Sequence, residues 1–175
     1  SHCTLRSKAK PSFGSHLVSI LLLPFNVTVV IPILLLLLSN DNILWGVEHP
    51  FNILLLLLGF LCLSLGLVIV IAAIRQFSKR GKGTLAPWQP PQKLVVSGVY
   101  RYTRNPMISG VILILLAEVI VLGSWPILLW FILFSVGNYL YFIIREEPEL
   151  EKKFGKDYLE YKKNVPRFLP RIRPW

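Results

Sequence analysis

Residues 107 to 144 read MISGVILILLAEVIVLGSWPILLWFILFSVGNYLYFII. Apart from Glu118 the stretch carries no charge, and it is too long for one membrane crossing. A span needs about 20 apolar residues to cross a hydrocarbon core of about 30 Å. Gly123-Ser124-Trp125-Pro126 breaks the run once, and Gly123 and Pro126 divide it into two segments joined by a tight turn. The first segment is short, but it can span if its polar neighbours snorkel or the bilayer thins locally. The reading is a helical hairpin that crosses the bilayer and returns. It places the residues before Met107 and those after Ile144 on the same side, at the same depth.

The rest of the chain is of the same class. Of its 175 residues 54% are hydrophobic and 16% charged, which with long apolar runs is a polytopic membrane composition. Residues 16 to 38 and 51 to 74 are each long enough to span. The expected fold is therefore all-α, with about four transmembrane helices, a C-terminal helical hairpin and a cytoplasmic interfacial helix. It is read as one domain, 1–175, because no soluble part is large enough for another. Two spans occupy 1–75, a loop 76–106, the hairpin 107–144, and a helix with its tail 145–175. Pro24 and Pro32 predict a kink in the first span, whose run is too long for the apolar region of a signal peptide.

Lysine and arginine total 19, against 9 acidic residues. Three precede the first span, seven lie from Arg75 to Arg104, and nine follow from Arg145; the connectors 39–50 and 123–125 hold none. The positive-inside rule then places both termini and the central loop in the cytoplasm, as expected for a multi-pass protein of a bacterial inner membrane or the endoplasmic reticulum. The net charge of +10 is read as orientation and contact with anionic headgroups. No nucleic-acid recognition module accompanies it. Cys3 and Cys62 form no CxxC pattern, and His2, His16 and His49 are scattered, so no metal site is expected.

Two polar stretches flank the hairpin. In the first, Asn105-Pro106 reads as a helix start, since Asn is a favoured N-cap and Pro a favoured first residue. A helix N-terminus attracts anions, and Arg101 and Arg104 add positive charge there. In the second, Glu146 and Glu147 emerge from the last span and suit a cationic group such as an ammonium. Beyond them Leu150, Phe154, Tyr158 and Tyr161 form one apolar face of a helix that lies on the membrane or folds back over a site. Val165-Pro166 ends it. The loop from Gly81 to Ser97 holds Gly83, Pro87, Trp88, Pro90 and Pro91, and is long for a passive connection. Glu118 is an intramembrane carboxylate that reads either as functional or as reaching the far interface. Asn26 and Asn138 read as hydrogen-bonding between helices.

With these residues the chain resembles the superfamily of isoprenylcysteine carboxyl methyltransferases and phospholipid methyltransferases. Leu94-Val95, Gly98, Tyr100, Arg104, Asn105 and Pro106 match the first part of its pattern. Glu146, Glu147, Leu150, Phe154, Gly155, Tyr158, Tyr161, Val165 and Pro166 match the second, so the resemblance runs from about 92 to 170. It implies an integral-membrane enzyme that moves the methyl group of S-adenosyl-L-methionine to a membrane lipid or lipidated substrate. The cofactor contacts it implies are Gln92, Lys93, Leu94, Val95, Tyr100, Arg104, Asn105, Pro106, Met107, Ile108, Glu146 and Glu147. The cofactor's carboxylate suits the helix start at Asn105, and its ammonium suits Glu146. Such a displacement needs alignment and exclusion of water, with no obligatory metal; a catalytic acid or base is not identified.

Three positions depart from the pattern. Asn105 stands where many members have His, and Ile108 where many have Tyr. Phe142 stands where the carboxyl-methylating members carry an Arg that contacts substrate. That last change points away from a prenylcysteine carboxylate and toward an amine-bearing or neutral lipophile, unless Arg145 takes the role. Two other readings compete: an NADPH-dependent membrane reductase of the sterol-reductase type, and a non-catalytic lipid-binding relative.

Overall fold

The computed structural model describes residues 21–39, 43–76, 94 and 96–175, and among them the chain is all-α with no strand. Wide π-type winding over Leu21–Val30 runs into α1, Ile31–Leu38. Pro24 lies inside the wide part and Pro32 opens α1, so the helix is interrupted where prolines withhold amide donors. Helix α2 is Phe51–Gln76, α3 is Pro106–Leu122 and α4 is Trp125–Tyr141. A π-type turn, Phe142–Glu146, carries α4 without a break into α5, Glu147–Phe154. Helix α6, Lys156–Asn164, follows.

Two helices are long and apolar enough to cross a membrane, Phe51–Gln76 and the continuous Trp125–Phe154. Pro24–Leu38 and Pro106–Leu122 are apolar but shorter. Helix α2 shows an inverted pattern. Its buried residues are Gly59, Cys62, Gly66, Val70 and Ala73, three or four apart along one face. Its other faces expose Leu54, Leu57, Phe60, Leu61 and Val68. Small residues inside and large apolar ones outside are what a lipid solvent favours, because close backbone approach rather than water exclusion holds such helices together.

The stretch 107–144 forms two helices joined by a tight turn. Gly123 stops α3 in a left-handed conformation (φ 59°), its N–H donating to Val119 O, and α4 starts at Trp125 with Pro126 in its first turn. Helices α2 and α3 pack antiparallel. A Cβ added at Gly66 would lie 2.8 Å from Gly110 O, and one at Gly110 would lie 2.9 Å from Gly66 O. The core around this crossing is Val70, Ala73, Met107, Val111, Ile114 and Leu115. Helix α4 is tied to the first segment by Trp130 Nε1, which donates to Val27 O at 3.0 Å. At the end of the hairpin near Gly123, Trp45 donates to Val119 O and packs edge-on against Trp125.

Two expectations change. The apolar face from Leu150 to Tyr161 belongs to two helices, because Gly155 (φ 58°, ψ −127°) breaks the chain where only glycine fits readily. Asn138 does not bridge helices; its Nδ2 donates to Phe134 O one turn back. Beyond Ile144 the winding carries on through Glu146 and Glu147 to Phe154. Glu118 keeps a buried Oε2 without a hydrogen-bond partner among the described residues.

Candidate functional site

The two polar stretches meet at the end of the bundle opposite the Trp45–Trp125 contact. A single turn, Gly98–Arg101, leads into α3 and buries Tyr100. Helices α5 and α6 fold back onto it. Tyr158, Tyr161 and Val165 form a buried cluster packed by Leu94, Val96, Leu150 and Phe154. The Tyr161 hydroxyl donates to Tyr100 O at 2.6 Å. Burial pushes the phenols of Tyr100, Tyr158 and Tyr161 upward, so they stay protonated.

Glu147 is the hub. It is 3% exposed, and its carboxylate accepts from Arg104 Nη1 at 2.7 Å and from Arg167 Nε and Nη2 at 2.7 and 3.2 Å. Lys162 Nζ lies 3.4 Å away. Burial opposes the charge, but the hydrogen bonds and charges of Arg167 and Arg104 outweigh it and hold the carboxyl below its ordinary range. Arg104 also donates to Val165 O, so it fastens the C-terminal segment to the start of α3.

The π-type turn explains how Glu147 gets there. Phe142 and Glu147 are both buried although five residues apart, and the Glu147 N–H donates to Phe142 O. A five-residue repeat puts them on one face, where α-helical winding would not. Glu146 is thereby left half-buried beside the hub. Among the described residues it forms no hydrogen bond or ion pair. The apolar part of the long helix ends at Ile144, and beyond it burial, then the charge of Glu149, raises the Glu146 carboxyl to about 7. Its own charge reaches Tyr100, whose phenol it helps to raise.

The remaining expected residues divide. Asn105 occupies the N-cap position of α3, yet its side chain makes no capping bond. The amides ahead of α3 are met by the tail instead: Arg104 N–H donates to Pro166 O at 2.8 Å and Asn105 N–H to Arg167 O at 3.1 Å. Pro106 and Met107 are buried, Met107 in the α2–α3 core, and Ile108 is half-buried. Gln92, Lys93 and Val95 lie outside the described residues, as do Gly81 to Pro91.

The tail beyond Pro166 carries no motif in the sequence. Thr103 Oγ1 donates to Arg167 O and Ser109 Oγ to Phe168 O at 2.7 Å. Phe168 packs in tilted contact against Phe142 and Tyr139, and Arg167 lies over the Tyr139 ring. Only the Val165-Pro166 helix stop hinted that the chain turns there. Arg145, the alternative to a cation at position 142, is exposed.

The pattern of a family described as phospholipid methyltransferase matches residues 54–157, from early α2 to the start of α6. A protein-S-isoprenylcysteine O-methyltransferase of Schizosaccharomyces pombe is 34% identical over 125 residues, 66% of this chain and 48% of that protein. The chain thus spans about half the length of the curated relative it matches.

Proposed function

The chain belongs to the phospholipid methyltransferase family, and on that premise we propose that it transfers the methyl group of S-adenosyl-L-methionine to a lipid-borne acceptor at a membrane interface. Glu146 carries the reading. It is a half-buried carboxylate beside Tyr100 with no hydrogen-bond or ion-pair partner among the described residues, next to a Glu147 whose charge is already matched. Such a group fits the cofactor's ammonium. When bound, the cofactor supplies an electrophilic methyl on a sulfonium. The residues' work is then to bind, align and exclude water. In this reading Glu146 and Tyr100 line the pocket, the start of α3 at Asn105 faces the cofactor's carboxylate, and Gln92, Lys93, Leu94, Val95, Met107 and Ile108 complete it. Glu147 and Arg104 brace it.

All four apolar segments cross the bilayer in this proposal, with both termini and the site on the cytoplasmic side. The shorter α3 is accommodated by local thinning. Phe142 bears on the acceptor. An apolar side chain there cannot neutralise an acidic substrate, and Arg145 is exposed, so any cation for such a substrate must come from another element. The test is calorimetric titration of the purified protein with S-adenosylmethionine, S-adenosylhomocysteine and NADPH. Binding of the first two and not the third is expected. NADPH binding alone would replace the methyltransferase reading with a reductase.

A further inference from the structure

The three cations around Glu147 are not equally enclosed. Arg104, Arg167 and Lys162 face Glu147 and Glu151, three cations against two carboxylates. Arg104 is enclosed, its side chain 6% exposed and its remaining bonds made to Val165 O and Tyr158. Lys162 is taken by Glu151. Arg167 differs. Nε and Nη2 grip Glu147 and fix the guanidinium plane, while among the described residues Nη1 reaches only the Tyr139 hydroxyl, at 3.5 Å. At that length a hydrogen bond is weak. The Arg167 side chain is 26% exposed and Tyr139 is 45% exposed. Tyr139 lies near the end of α4, five residues before the apolar stretch ends at Ile144, a depth at which Tyr commonly sits at a membrane surface. Phe168 links it to the buried Phe142, with centroids 5.9 and 5.5 Å away. Arg104 lies over Phe142 in turn.

We propose that Arg167 Nη1 and the Tyr139 hydroxyl form an oxyanion subsite that holds a charged group of the lipid-borne acceptor. The subsite rests on the methyltransferase reading above. The aromatic wall of Tyr139, Phe168 and Phe142 lies beneath the apolar chain. A guanidinium already oriented by one carboxylate presents a planar edge to a second oxyanion, which suits a carboxylate or a phosphate better than an ammonium would. The tail residue Arg167 thus supplies the cation that position 142 does not. The anion can be the carboxylate of a lipidated amino acid or the phosphate of a phospholipid headgroup.

The test is equilibrium binding in uncharged detergent micelles, with S-adenosylhomocysteine present, of two matched probe pairs. One is N-acetyl-S-farnesylcysteine against N-acetyl-S-farnesylcysteamine, which lacks the carboxylate. The other is lysophosphatidic acid against a monoacylglycerol, which lacks the phosphate. The wild-type protein is expected to prefer the anionic member of at least one pair by about ten-fold, the scale of a charge-assisted hydrogen bond, and that pair identifies the source. Tyr139→Phe, which leaves the Arg167–Glu147 grip intact, should cut the preference by about three-fold, and Arg167→Lys should cut it further. No preference in either pair, or a preference unchanged in both variants, overturns the subsite. Calorimetry with S-adenosylmethionine on the same samples separates the two readings: normal cofactor binding with no anion preference sinks only the subsite, whereas lost cofactor binding sinks the methyltransferase reading.

Discussion

Adjacent carboxylates at positions 146 and 147 have opposite circumstances, and each predicts its own measurement. Glu147 is ionised and held by two arginines. Glu147→Gln leaves Arg104 and Arg167 facing each other with their counter-charge removed. Breaking a buried pair this way costs about 3–5 kcal/mol, so thermal unfolding in detergent should shift strongly downward. A carboxyl held low in the folded state stabilises above its unfolded value of about 4.3 and ceases to do so as pH falls through the folded value. The wild-type advantage over Glu147→Gln should therefore shrink on acidification below about pH 4. Glu146 behaves the other way. Its carboxyl sits at about 7 and must ionise to hold an ammonium, so cofactor affinity should rise from pH 6 to pH 8. Glu146→Gln should lose that rise and about 1.5–3 kcal/mol of binding, with Glu149→Gln nearly unaffected. Equal affinities for the two variants, measured by calorimetry, would remove Glu146 from the pocket.

Among the elements, the α2–α3 crossing sets where the site can be. Met107, the second residue of α3, packs with Val70 and Ala73 of α2. The start of α3, which carries Asn105 and Pro106, is therefore placed by how closely the two helices approach. Gly66 and Gly110 permit that approach. A side chain at Gly66 would meet Gly110 O and Ile114 Cγ1 at 2.8 Å and Ile114 N at 3.1 Å, and backbone atoms cannot rotate away. Gly66→Val should destabilise by about 1–3 kcal/mol, the range for overpacking, and lower cofactor affinity by displacing α3. Gly137 has nothing within 4 Å of an added Cβ, and Gly137→Ala should be neutral or slightly stabilising because it favours the helix. If thermal unfolding ranks the two variants the other way, the crossing is not what holds α3.

For the molecule as a whole, the bundle was legible because lipid enforces it. Apolar length gives the segments, Gly123 and Pro126 give the hairpin turn, and the order of Arg104, Asn105 and Pro106 marks a helix start. The site was legible only as positions. Glu146 and Glu147 look alike in sequence, and the turn that separates their roles is a local change of winding within a run that reads as ordinary helix. Arg167 was hidden among nine basic residues after the hairpin, since the pairing that singles it out joins parts of the chain 20 and 62 residues apart. Sidedness depends on charge distribution alone, and it makes a prediction for the entire fold. Every Lys and Arg lies outside the connectors 39–50 and 123–125, and moving such charges across a bilayer is opposed. Val47 is exposed near the turn end of the hairpin, and Lys152 is exposed on α5 at the site end. With Cys3 and Cys62 replaced by Ser, single cysteines at 47 and 152 should react with a membrane-impermeant maleimide from opposite faces of oriented vesicles, 152 from the cytoplasmic face. Helices α2 and α3 run antiparallel between these two ends, so one crossing by α2 is enough to separate the labels. Reaction of both from the same face would mean that the bundle lies along the membrane, and the four-span reading would fail with it.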